Sequence, residues 1–335
     1  MLTYAIRRLV LAVPTLLFIS FAIFLVIDLA PGSPMAQIPL TVTVEDRARI
    51  AEALGLNDPL LVRYAKWLGQ FVVTEPLYGI DHLFGTDFAD GRQRIISYQN
   101  RAPVMPEIGK RLPQTLTVVG LSYLLAILIA IPIGIISAYR QYSWVDQTAT
   151  FVSMIGFSVP TFFTGTVFIF LFATTLGWLP SVYNTALEVN DWASFKLQLK
   201  QMLMPVVVLT LFNASQISRY MRASMLDNLG QDYVRTARAK GLPEKQVVLT
   251  HVFRNSLIPV VTIIALNAPT IFGGAIITER VFGVNGLGQQ LIDSIFANDI
   301  PMVQTLTFIF AVLIVLSNII ADLLYGFLDP RIRYD

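Results

Sequence analysis

Six stretches without a single charged residue, each of about membrane-crossing length, restrict this chain more than any other feature. They run Leu9–Ile27, Pro113–Tyr139, Gln147–Leu187, Gln201–Ser218, Asn255–Thr278 and Ile300–Ala321. A hydrocarbon core takes about 20 residues of helix to span. The runs therefore predict an all-α membrane protein with six transmembrane helices. The third run is too long for one helix and too short for two with a loop. Gly177 and Pro180 put its end near Leu176, with an extracytoplasmic segment beyond. The fourth is marginal and is expected to continue into the cytosol as far as Gly230. Composition agrees: 14% of the 335 residues are charged and 55% hydrophobic, where a soluble domain carries about a quarter charged. With no cysteine, disulfides and thiolate metal sites are excluded, and a net charge of +2 argues against a nucleic-acid partner.

Orientation follows from the basic residues of the short flanks. Arg7 and Arg8 precede the first run, Arg140 separates the second and third, and Arg331 and Arg333 follow the last. Basic residues are densest between Arg219 and Arg254. With six helices all four flanks share one side, so both termini are expected in the cytoplasm. The start does not read as a cleaved signal peptide, because its apolar stretch is long and no small-x-small site follows. Three parts result: an N-terminal helix (1–29), an extracytoplasmic loop with short helices (30–112), and a five-helix core (113–335).

Within that core, the charged segment from Asp232 to Asn255 lies between two membrane-length runs. Asp232 reads as the N-cap of a short helix opening at Tyr233. Gly241 suits the left-handed residue that ends it, and Pro243 the first turn of the next. Val234, Ala237 and Gly241 would share one side, ringed by Arg235, Arg238 and Lys240. A small face bordered by cations fits a groove on another protein. A solvated basic loop is the plainer alternative.

This segment resembles the conserved cytoplasmic loop of ABC importer permeases, in the form used by the dipeptide/oligopeptide/nickel permease family. The family's Tyr-Val-Arg-Thr-Ala-Arg-Ala-Lys-Gly-Leu is matched by Tyr233 to Leu242, and its Leu/Ile-Pro pair by Ile258-Pro259. Of the general Glu-Ala-Ala…Gly pattern only Ala237 and Gly241 are met; Arg235 and Thr236 replace the first two letters, as in the peptide branch. The likeness extends to Pro14 and the Ala30-Pro31-Gly32 stop, with Ser33 where the family usually has Asp. It continues through the Leu56-Asn57-Asp58-Pro59 break, Arg111 to Leu116 and Ser158 to Phe163, and closes with Asp329 to Tyr334. It lapses over residues 75–101, read as an extracytoplasmic insertion that either touches the substrate-delivering protein or is an inert loop. Glu279, Phe282, Gly286 and Gly288 are in register with the family's outer re-entrant loop.

The resemblance implies a coupling loop over 231–256, in which Tyr233, Arg235, Thr236, Ala237, Arg238, Lys240, Gly241, Leu242 and Pro243 face partner ATPases. It also implies a bacterial or archaeal cell membrane, the inner one in Gram-negative cells. The partners would be a homologous second permease, two ABC ATPases that hold the ATP and Mg, and an extracytoplasmic substrate-binding protein. The expected cargo is a di- or oligopeptide, with nickel or oligosaccharides as the alternative.

The residues themselves bound the chemistry. There is no P-loop motif, and two histidines cannot fill a nucleophile–base or metal-ligand set, so no catalytic, cofactor or metal site is expected in this chain. His82 among Asp81, Asp87 and Asp90 is too loose a cluster for a metal. Few polar residues fall inside the bundle. Pro160, Asn213, Gln216 and Asn267 are the candidate pathway-lining positions, although interhelical hydrogen bonding accounts equally for the three amides. No ladder of intramembrane acids supports an ion-coupled secondary transporter. Asp28 reads as interfacial and solvated, and Asp322 as paired with a nearby cation.

Overall fold

A computed structural model describes residues 2–30, 43–53, 55–268, 271 and 275–328. Pro31 to Ser33, Leu54 and the 329–334 motif lie outside them. The order is α1 (Leu2–Asp28), α2 (Val44–Ala53), α3 (Leu60–Gly69), α4 (Glu75–Phe84), α5 (Val104–Thr115), α6 (Leu121–Tyr139), α7 (Trp144–Ser158) and α8 (Thr161–Phe168). There follow α9 (Trp192–Leu229), α10 (Asp232–Ala239), α11 (Glu244–Gln246), α12 (Phe253–Asn267), α13 (Ile276–Phe282), α14 (Leu287–Phe296) and α15 (Ile300–Leu328). Among the described residues the only β pairing is one isolated bridge, Ile96 with Pro103.

Among the described residues five helical stretches are long and apolar enough to cross a membrane: Ala5–Asp28, Val104–Tyr139, Trp192–Leu229, Glu244–Asn267 and Ile300–Leu323. A sixth consists of α7 and the stretch Thr161–Thr175, bent by 102° at their junction. Here the third apolar run departs from expectation, since it breaks in the middle. The residue before a proline is pushed out of the helical region, and Val159 adopts φ −86°, ψ 125° ahead of Pro160. The fourth helix reaches Leu229 and stops at Gly230 as expected, but it starts already at Trp192. Asp191 fixes that start: its carboxylate accepts from Ser194 N (2.7 Å) while Ser194 Oγ accepts from Asp191 N (3.0 Å).

The chain divides into two compact units, one made of Met1–Leu9, Gln114–Gly288 and Leu313–Asp335, the other of Val10–Pro113 and Gln289–Val312. In the first, α6 and α9 pack along their lengths through small and unbranched side chains. Ala126, Ala130 and Ala138 meet Met221 and Met225 in one buried cluster, the close approach that small residues allow inside a bilayer. Asp322 pairs with Arg8 (3.0 Å), the cation that sequence reasoning left unnamed.

The second unit is built on aromatic rings. Trp67, only 5% exposed, lies against Phe24, Phe71 and Phe308 with ring centroids 5.5–5.9 Å apart. Asp28 is not solvated: Arg63 holds it in a two-pronged ion pair at 2.5 and 2.8 Å, and its side chain is largely buried. A charge at an apolar boundary is tolerated when it is paired. The 75–101 region is folded rather than loose. Helix α3 runs through a π-helical turn (Gln70–Thr74) into α4. Buried Glu75 binds Arg94 (2.6 Å) and Ile95 N (3.0 Å), and Asp299 accepts from Ser97 Oγ and from Tyr98 N (2.9 Å). Asp81, grouped with His82 in the sequence, accepts from Thr86 Oγ1, Phe88 N and Ala89 N instead and closes a turn.

Candidate functional site: the coupling segment and its supports

Helix α10 follows α9 after Gly230 and Gln231. Its N-cap is Gln231, without a side-chain cap bond, and Asp232 is already helical. The expected Asp232 cap is thus corrected by one residue: Asp232 faces Arg235 across the first turn (3.4 Å) and its carbonyl accepts from Thr236 Oγ1 (2.9 Å). At the other end Gly241 takes φ +76°, the left-handed conformation expected of it. Its N–H returns to Arg238 O (2.9 Å), and Leu242 N returns to Ala237 O (3.4 Å). Pro243 occupies the N-cap of α11, one position ahead of its expected place. Arg238 bridges the turn to Glu244 with two hydrogen bonds, at 3.2 and 2.7 Å, fixing the angle between the two short helices. The Glu244 carboxylate raises the Arg238 pKa above its ordinary value. Tyr233 OH anchors the helix start by donating to Asn228 Oδ1 (2.8 Å).

Two of the three small residues, Val234 and Ala237, point inward, contrary to the sequence reading, while Gly241 stays exposed. Val234 and Ala237 are 0% and 6% exposed, packed in the cluster of Met221, Met225, Val247 and Val248. Their few carbons are worth more removed from water than facing it, so the unit's own core takes this face. What remains outside is polar and cationic: Tyr233, Arg235, Thr236, Arg238, Lys240 and Pro243 are exposed, and Leu242 is half-buried. The segment is therefore anchored to α9 by apolar burial and presents a charged ridge to any partner.

One further device ties α9 to α7. Arg222 binds Asp146 with both prongs, Nε–Oδ1 2.6 Å and Nη2–Oδ2 2.8 Å, and Asp146 is 3% exposed. The same carboxylate accepts from the backbone of Tyr142 (2.9 Å), which is held at φ +62°. Sequence reasoning missed this pair because it sought runs free of charge, and both partners stand just outside such runs. The visible signal was Ser143 three residues before Asp146, the pattern of a helix start, and Ser143 Oγ does cap Asp146 N (3.3 Å).

The residues assigned to the outer loop gather around one buried carboxylate. Glu279, 2% exposed, accepts from Thr115 Oγ1 (2.8 Å), and Thr115 Oγ1 accepts from Leu287 N (2.8 Å). Gly286 and Gly288 lie against this knot: a β-carbon on Gly286 would stand 2.5 Å from Thr115 Oγ1, and one on Gly288 2.7 Å from Ile276 Cα. Phe282 is buried and its carbonyl accepts from Tyr183 N (2.9 Å). The other candidates are dispersed. Pro160 is exposed at the α7–α8 break, Asn213 returns its amide to Leu209 O (2.9 Å) in its own helix, Gln216 is half-buried in α9, and Asn267 ends α12.

Residues 130–334 match the family described as binding-protein-dependent transport system inner membrane component, and residues 1–119 match the N-terminal region of such membrane components. The chain belongs to this family: it is a permease subunit of an ABC importer, a multi-pass protein of the inner membrane and not an enzyme. It is 39% identical to the oligopeptide transport system permease protein AppB of Bacillus subtilis, with all of both chains covered. The dipeptide transport system permease protein DppB of Alkalihalophilus pseudofirmus and the glutathione transport system permease protein GsiC of Salmonella paratyphi A are each 34% identical, again over all of both chains.

Proposed function

We propose that this chain carries di- or oligopeptides across the membrane, receiving them from an extracytoplasmic binding protein. The observation that carries this is full-length similarity to permeases whose names specify oligopeptides, dipeptides and glutathione. In this reading a homologous second permease completes the pathway, and two ABC ATPases bind the ATP and Mg and dock on the exposed ridge of α10. Both termini are cytoplasmic, which puts α10 on the ATPase side. Closure of the ATPases pushes α10, and the buried contacts of Val234 and Ala237 pass the displacement to α9. Arg222 and Asp146 carry it on to α7 and the bend at Pro160. Peptide is released inward because the two conformations differ in affinity, the only way a coupled cycle can move it.

The test is gentle solubilisation of the tagged chain from its host, followed by co-purification. Recovery of a second permease and two P-loop ATPases is the expected result. Recovery of the chain alone, still transporting in vesicles without ATP, would overturn the reading.

A further inference from the structure

The unit made of Val10–Pro113 and Gln289–Val312 contains a cavity of about 770 Å³ that the transport cycle above does not use. Its walls come from the end of α1, from α2 and residues 55–58, from α3 and its π-helical turn, from residues 93–98 and from the first turns of α15. Pockets that hold small ligands run from about 300 to 1,000 Å³. The charges along its wall balance: Arg63, Lys66 and Arg94 against Asp28, Glu52 and Asp58. A wall of this kind favours neither a plain cation nor a plain anion, and it has a group for each end of a zwitterion. All three cations are already paired, Arg63 with Asp28, Lys66 with Asp58 and Arg94 with Glu75; among the described residues the carboxylate of Glu52 makes no ion pair.

Amides supply the second observation. Gln304 is 4% exposed and lines the cavity, and among the described residues its side chain makes no hydrogen bond. Half-buried Gln70 and exposed Gln93 line the same space, and among the described residues neither side chain makes a hydrogen bond. A primary amide offers two donors and two acceptor lone pairs, and those of the mostly buried Gln304 are available to a molecule in the cavity. Groups of this kind match the N–H and C=O of a peptide bond, which needs one donor and one acceptor side by side.

We infer that this cavity binds a short zwitterionic peptide, with its amide against Gln304 and Gln93 and its charged ends on the wall of paired charges. The inference rests on the peptide reading above and deepens it. With the termini cytoplasmic, the cavity belongs to the extracytoplasmic side, where it would hold peptide on the permease itself.

Trp67 lines the cavity and is one of four tryptophans, so it can report occupancy. The full chain, carrying Trp144→Phe, Trp178→Phe and Trp192→Phe in lipid nanodiscs, is titrated with dialanine and separately with glycerophosphoethanolamine, a net-neutral zwitterion without a peptide bond. The expected result is a saturable change of Trp67 emission with dialanine only, and a Kd raised about ten-fold or more by Gln304→Leu. Should Gln304→Leu not fold, Gln93→Leu at the exposed rim is expected to weaken binding several-fold. No saturable change, equal affinity in the variants, or a response to glycerophosphoethanolamine alone would overturn the assignment. Uptake of dialanine by the ATP-driven assembly is measured in parallel. Uptake without binding at Trp67 removes the cavity proposal and leaves the peptide reading standing. Binding without uptake keeps the cavity as a zwitterion site and removes the peptide reading.

Discussion

Gly241 carries the turn between α10 and α11 at φ +76°, a conformation a β-branched residue resists. No neighbouring atom would meet an added β-carbon there, so the cost of substitution is one of backbone conformation rather than of space. Gly241→Val is expected to leave insertion intact and to lower both peptide uptake and peptide-stimulated ATPase activity. Unchanged activity in reconstituted vesicles would remove the turn from the coupling mechanism. Gly288 presents the opposite case. Its φ is ordinary, but a β-carbon would sit 2.7 Å from the backbone of Ile276, where nothing flexible can yield. Gly288→Ala is expected to destabilise the Glu279 knot by about 1–3 kcal/mol, as overpacked sites do. A melting temperature in detergent equal to that of the wild type would contradict this.

Between elements, the pair Asp146–Arg222 joins α7 to α9. Removing one partner of a buried pair strands the other charge, which costs about 3–5 kcal/mol when both are fully buried. Arg222 is partly exposed, so about 2 kcal/mol is expected for Asp146→Asn, read as a lower melting temperature together with ATPase activity less dependent on substrate. The reversed pair Asp146→Arg with Arg222→Asp should recover part of the coupling, and two single variants that behave like the wild type would exclude the link. The turn after α4 responds to acid. Burial alone would raise the Asp81 pKa, but the hydrogen bonds from Thr86, Ala89 N and Phe88 N together bring it below the ordinary 3.8. A depressed folded-state pKa gives stability that is complete above the unfolded value of about 3.9 and is lost as pH falls through the lower folded one. Exchange of the Phe88 and Ala89 amides, corrected for intrinsic rate, should therefore accelerate below about pH 4 in the wild type, with Asp81→Asn fast at every pH. Equal protection at pH 3 and pH 6 in the wild type would contradict it.

Across the whole molecule, the spans were legible because uncharged length is a direct requirement of the bilayer. The Gly241 turn was legible because few residues tolerate its backbone angle. The sequence placed Val234 and Ala237 on one side of α10, as they are, but could not say whether that side met a partner or its own core. That choice depends on Met221 and Val247, brought near only by the tertiary fold. The ion pairs Asp28–Arg63, Glu75–Arg94 and Asp146–Arg222 were illegible for the same reason, each joining residues 19 to 76 positions apart. The bend at Pro160 was within reach of a local rule, because proline acts on the residue before it; the length of the apolar run masked it.

Peptide movement by this chain, driven by ATPases through its coupling segment, is measured by reconstituting the assembled transporter with its binding protein in liposomes and following labelled dialanine with and without ATP. Accumulation that needs ATP and the binding protein, and that falls in the Gly241→Val assembly, is the predicted result. Accumulation indifferent to ATP, or ATP-driven uptake of nickel with none of peptide, would contradict it.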